Sequence, residues 1–133
     1  MTYTISKEFA FSASHRLDGL PAGHQCARLH GHNYVVKVIL SSDRLDATGF
    51  VLDYGLLAPV KGLIDGHLDH RHLNDVLPEE VGNPTAENMA RWLANDVRRL
   101  LDLPASVTVG VALSETPKTW ATYTEPGFDT GAL

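Results

Sequence analysis

The chain has 133 residues, 44% hydrophobic and 20% charged, and this composition predicts one globular domain spanning residues 1–133, long enough to bury a core. Its 11 Lys and Arg stand against 16 Asp and Glu, a net charge of -5, which argues against a nucleic-acid partner because such binders carry a basic face. No apolar run approaches the roughly 20 residues of a membrane span, and Lys7 and Glu8 interrupt the N-terminal stretch before a signal-like segment forms. The lone cysteine, Cys26, excludes an internal disulfide and suits a reducing, cytoplasmic setting.

The elements read in the order strand, strand, helix, helix, strand, strand. Ile5, Lys7, Phe9, Phe11, Ala13 and His15 alternate onto one face of a first strand, with His15 at its far end. Gly19, Pro21 and Gly23 make residues 16–29 a loop. A second strand runs from about Gly31 to Ser41 on the β propensity of Val35, Val36, Val38 and Ile39. His30 and His32, two apart at its start, face the same side once the backbone is extended there.

After a turn-rich connection, Asp53 is a candidate cap for a helix reaching about Leu68, with Leu57, Val60, Ile64 and Leu68 as its apolar stripe. Pro59 fits only a first turn, which pushes the true start later. A polar loop spans Asp69 to Gly82. Asn83-Pro84-Thr85 then opens a second helix, capped by Thr85 and striped by Met89, Leu93, Val97, Leu100 and Leu101 until Pro104 stops it. Val107, Val109, Val111 and Leu113 alternate in a third strand, and Glu115 is the next residue on that apolar face. A fourth strand covers about Trp120 to Tyr123.

Neutral imidazole is the commonest protein metal ligand, and three of them leave zinc an open fourth position. If the first two strands are neighbours, His15, His30 and His32 converge; taken singly, each is as well explained by a hydrogen bond to backbone or water. Cys26, four residues before His30, is a fourth ligand, a base or nucleophile beside the metal, or an inert thiol. Asp69 follows a helix C-terminus, where the dipole disfavours an acid, and a carboxylate there can orient the adjacent His70. The other reading is a solvated polar loop, and His24, His67 and His72 are taken as loop or surface residues. Glu115 either marks where its strand surfaces or receives a ligand with two adjacent N–H donors.

The chain resembles the 6-pyruvoyltetrahydropterin synthase and 6-carboxytetrahydropterin synthase family over nearly its whole length. The resemblance is carried by Phe11-Ser12-Ala13-Ser14-His15-Arg16-Leu17, Cys26-Ala27-Arg28-Leu29-His30-Gly31-His32-Asn33-Tyr34 and Leu68-Asp69-His70. Leu73-Asn74, Asn83-Pro84-Thr85-Ala86-Glu87-Asn88 and Ser114-Glu115-Thr116 add to it. The spacing from Cys26 to His30-Gly31-His32 resembles the 6-carboxy branch, which feeds 7-deazapurine (queuosine) synthesis. A folate-linked branch carries Glu near the Cys26 position.

The resemblance implies an α+β T-fold, an antiparallel four-stranded sheet packed by two helices. Four strands cannot close a barrel, and family members complete one as homo-oligomers, commonly hexamers of two stacked trimers with interfacial active sites. It further implies zinc on His15, His30 and His32, and 7,8-dihydroneopterin triphosphate as substrate. Cys26 would be the proton-abstracting catalytic residue, working with Asp69 and His70 of a neighbouring subunit. Glu115 and Thr85 would bind the pterin. Arg28, Lys37 and Lys118 are candidate triphosphate contacts. Two other readings stand beside this one: a pyruvoyl-forming or other side-chain lyase, and a non-catalytic zinc-containing pterin-binding or scaffold protein.

Overall fold

Alternating apolar and polar side chains give two long strands that pair over their full length. In the computed structural model, which describes residues 1–126, β1 (Tyr3–His15) and β2 (His30–Ser42) run antiparallel from the Tyr3↔Ser42 pair to the His15↔His30 pair. Then follow α1 (Ala58–His67), β3 (Arg71–His72), the single turn α2 (Leu73–Val76), α3 (Ala86–Leu100), β4 (Thr108–Thr116) and β5 (Thr119–Thr124). The sheet order is β3-β1-β2-β4-β5. The four expected antiparallel strands are all present. The added fifth is two residues long and pairs parallel with Ala13 and Ser14 of β1.

One sheet face is apolar and covered by the helices. Phe11, Tyr34, Val36, Val38, Leu40, Val109, Val111 and Leu113 are buried there against Val60 and Ile64 of α1 and Met89, Leu93 and Val97 of α3. The helix boundaries follow local chemistry. Asp53 caps a short 3₁₀ turn at Tyr54–Leu57, accepting from the Gly55 N–H at 2.8 Å, and α1 starts only at Ala58 with Pro59 in its first turn. Thr85 caps α3 by accepting from the Asn88 N–H at 3.1 Å. Leu100 departs from the expected stripe: the row through Met89, Leu93 and Val97 continues four residues on to buried Leu101, leaving Leu100 45% exposed. Among the described residues, the outer edge of β1 is paired only at Ala13 and Ser14, and β5 has no strand on its outer side.

Candidate metal centre and active site

The β1–β2 register places His15 directly across from His30, and Ala13 across from His32. Because β-strand side chains alternate, all three imidazoles then share the helix-covered face. One ligand nitrogen from each lies within 4.8 Å of the others. His15 is fully buried and the other two are half-buried.

Hydrogen bonds fix how these rings present themselves. The His15 Nδ1–H donates to the Pro84 carbonyl at 2.8 Å, and the His30 Nδ1–H donates to the Arg28 carbonyl at 2.6 Å. In a neutral imidazole that leaves Nε2 as a bare lone pair. The Nε2 atoms of His15 and His30 nevertheless face one another at 2.9 Å. His32 Nε2 is buried with no hydrogen-bond partner among the described residues. The Glu115 carboxylate lies beside it, with Oε2 at 3.4 Å. Burial lowers the pKa of His15, against the opposing effects of the Pro84 carbonyl and Glu115, and lowers that of His32 against Glu115. Neutral rings with converging lone pairs call for a cation between them, and three nitrogen donors suit zinc. The residues therefore fit the expected metal.

Tyr34 is a participant that the sequence pattern did not single out, although it lies two residues beyond His32 on the same strand face. Its ring stacks on Phe11 at 4.7 Å between centroids, and its hydroxyl lies 3.2 Å from His15 Nδ1. Burial, and secondarily Glu115, hold its pKa well above the ordinary phenol value.

Cys26 sits in a 3₁₀ turn at Gln25–Ala27 as a half-buried free thiol. Its backbone is fixed on both sides: the N–H donates to His24 Nδ1 at 3.0 Å and the carbonyl accepts from the Leu17 N–H at 3.1 Å. The metal-ligand cluster contains the three imidazoles and not Cys26. Two asparagines tie down the segment leaving β1. Asn74 bonds both the N–H and the carbonyl of Arg16, and Asn83 does the same for Asp18. Each amide mimics a peptide group, and loop polarity alone did not reveal this role.

Asp69 and His70 are anchored to the edge of β1 at Ser12. Asp69 Oδ1 accepts from the Ser12 N–H at 2.9 Å, and the His70 N–H donates to the Ser12 carbonyl at 2.7 Å. His70 adopts a left-handed φ of 59°, and its side chain is 83% exposed, with Nε2 3.7 Å from Asp69 Oδ2. No hydrogen bond among the described residues joins this pair to Cys26 of the same protomer. His72 is not the free surface residue expected: it is half-buried, and its Nδ1 bonds the Ser14 hydroxyl at 3.0 Å. His70, His72 and His32 line one depression of about 460 Å³.

Glu115 is placed by a β-bulge. Leu113 pairs with Ala121 and Thr116 with Thr119, so Ser114 and Glu115 together oppose Trp120 alone. Glu115, Trp120, Leu113, Ala86 and Glu87 border a second cavity of about 340 Å³. Thr85, the α3 cap, adjoins it through Ala86. Of the candidate triphosphate contacts, Arg28 and Lys118 are exposed, while Lys37 lies 3.8 Å from Glu8 and 5.2 Å from the Trp120 ring centroid. None of the three lines either cavity.

The profile of the 6-pyruvoyl tetrahydropterin synthase family matches residues 4–126. A Synechocystis protein named 6-carboxy-5,6,7,8-tetrahydropterin synthase is 42% identical over 96 residues, covering 68% of this chain and 71% of its own. A Bacillus subtilis protein of the same name is 31% identical over 128 residues, covering 92% and 85%. Among solved structures, the 6-pyruvoyl tetrahydropterin synthase of Caenorhabditis elegans superposes with a TM-score of 0.80 at 28% identity, covering 95% of this chain and 97% of that one. The Plasmodium vivax structure, at 21% identity and a TM-score of 0.74, shares the fold.

Proposed function

Because the chain belongs to the 6-pyruvoyl tetrahydropterin synthase family and is a lyase-type enzyme with the T-fold, we propose that it forms 6-carboxy-5,6,7,8-tetrahydropterin. The substrate is 7,8-dihydroneopterin triphosphate; one water is consumed, and triphosphate and acetaldehyde leave. The acid product is favoured over the pyruvoyl product by the curated relatives of that name and by the short spacing from Cys26 to His30. Its destination is 7-deazapurine (queuosine) synthesis in a reducing cytoplasm, where the free Cys26 thiol persists.

One observation carries this reading. The carboxylate suited to a pterin edge, Glu115, stands 3.4 Å from a ligand of the metal cluster, His32. Glu115 and the three imidazoles therefore belong to one site, which a pterin and its C6 substituent can span. Zinc bound by His15, His30 and His32 would act as a Lewis acid toward the hydroxyl oxygens of that substituent and so acidify the neighbouring C–H.

The remaining roles belong to the protein's own groups. Glu115 accepts the ring 2-amino and N3 hydrogens, and Thr85, next in sequence to the cavity-lining Ala86, adds a contact from the start of α3. Cys26, as thiolate, takes the proton from the acidified carbon of the C6 substituent. His70 receives and returns that proton, with Asp69 orienting its imidazole. In the proposed assembly His70 comes from a neighbouring copy, in a homo-oligomer built to hexamer size through the open edges of β1 and β5. The outward projection of His70, which makes no hydrogen bond to Cys26 among the described residues, supports this arrangement.

Triphosphate release from 7,8-dihydroneopterin triphosphate by the zinc-loaded protein tests the reading. Turnover that disappears in Cys26→Ala supports it. Absence of release from the wild-type protein would leave a non-catalytic pterin- and zinc-binding role in its place.

A further inference from the structure

Residues 16–18 leave β1 directly after His15 and belong to no strand, yet their peptide groups are paired. Asn74 accepts from the Arg16 N–H at 2.9 Å and donates to the Arg16 carbonyl at 2.8 Å. Asn83 accepts from the Asp18 N–H at 2.8 Å and donates to the Asp18 carbonyl at 2.7 Å. In extended backbone, successive residues present their N–H and C=O groups to opposite sides. Leu17 therefore faces away from both amides, and its N–H donates to the Cys26 carbonyl at 3.1 Å. Each asparagine stands on a fixed support: Asn74 follows the fully buried Leu73, and the Asn83 carbonyl accepts from Asn88 Nδ2 of α3 at 2.9 Å.

We propose that Asn74 and Asn83 are positioning residues for Cys26: they hold residues 16–18 extended, and Leu17 in turn places the turn that carries the thiol. The inference rests on Cys26 being the proton-abstracting group in the reading above. The turn's own bonds, from the Cys26 N–H to His24 Nδ1 and from the Ala27 N–H to the His24 carbonyl, fix its shape. The Leu17 bond ties that turn to the end of β1, and so to His15. A reacting group displaced by about 1 Å can lose about a hundredfold in rate, so this tie matters to a base more than to the fold. Asn74 is the cleaner probe of the two, because Asn83 precedes Pro84, whose carbonyl holds His15.

The test uses the full-length, zinc-loaded protein, with triphosphate release from 7,8-dihydroneopterin triphosphate as turnover and iodoacetamide as a probe of Cys26, the only thiol. Asn74→Asp keeps an acceptor for the Arg16 N–H but loses the donor to its carbonyl, and Asn74→Ala loses both. Each should lower kcat by about tenfold to a hundredfold, with KM within about threefold of wild type and zinc content unchanged. Alkylation of the half-buried Cys26 should be about threefold faster or more once its turn is released. Asn83→Asp should act in the same direction. Wild-type kcat and alkylation rate in these variants would overturn the proposal. So would lowered kcat with unchanged alkylation, a loss of kcat that tracks loss of zinc, or failure of all the variants to fold, since each makes the amides structural supports of something other than the thiol. If the wild-type protein releases no triphosphate, the reading of Cys26 as a base falls; faster alkylation in the variants would then still support the placing of the thiol by the two amides, and unchanged alkylation would overturn it.

Discussion

His15 and His30 face each other across the last rung of the β1–β2 ladder with their Nε2 atoms 2.9 Å apart. Each ring has already given its Nδ1 hydrogen to a backbone carbonyl, of Pro84 and Arg28 respectively. Two acceptors this close repel unless a cation lies between them. The purified protein should therefore carry one zinc per protomer. His30→Ala or His32→Ala should strip it, and Cys26→Ala should retain it, as read by elemental analysis. Loss of metal in Cys26→Ala would make the thiol a ligand and close the open coordination position.

Cys26→Ala should lower turnover by at least about two orders of magnitude, the low end for a positioned base, with zinc still bound. His70→Ala should lower turnover far more than His67→Ala, the appropriate local control because His72 is committed to Ser14. Asp69 both orients His70 and holds the β1 edge at Ser12. Asp69→Asn should accordingly cut turnover while sparing Tm, and Asp69→Ala should reduce both. Equal turnover in His70→Ala and His67→Ala would reduce this loop to a structural part.

Glu115→Gln keeps the side-chain shape but turns one acceptor into a donor facing a donor. Neopterin affinity should fall by on the order of tenfold to a thousandfold, with zinc content unchanged. Calorimetric titration checks this, and unchanged affinity would mean that Glu115 merely ends its strand at the surface.

Glu125 gives the fold a pH dependence of its own. Burial pushes its carboxyl pKa up, but bonding to Arg98 and to the Val109 N–H outweighs this and leaves it below the ordinary glutamate value of 4.5. The folded state thus holds fewer protons than the unfolded state across that window, so stability is full above about pH 4.5 and falls as pH drops through the lower folded value. Glu125→Gln should cost about 1–3 kcal/mol at pH 7 and much less near pH 3, measured by urea unfolding. An equal cost at both pH values would contradict the ion-pair account.

The strand pattern and the histidine triad were legible because period-two alternation fixes which face each side chain takes. Once β1 and β2 pair, His15, His30 and His32 have little choice but to meet. The bulge at Ser114 and Glu115 was not legible, since inserting one residue into a ladder leaves no compositional mark. The same holds for Asn74 and Asn83, whose amides substitute for peptide groups, and for the two-residue β3, too short for any periodicity. The place of Asp53 was half legible: Pro59 showed that the helix starts later, but not that a 3₁₀ turn fills the gap.

The identity of the product separates the 6-carboxy reading from its alternatives, and mass spectrometry of the reaction mixture reads it directly. The zinc-loaded protein incubated with 7,8-dihydroneopterin triphosphate should yield 6-carboxy-5,6,7,8-tetrahydropterin together with acetaldehyde and triphosphate. A 6-pyruvoyl product with the three-carbon substituent intact, or unchanged substrate, would contradict it.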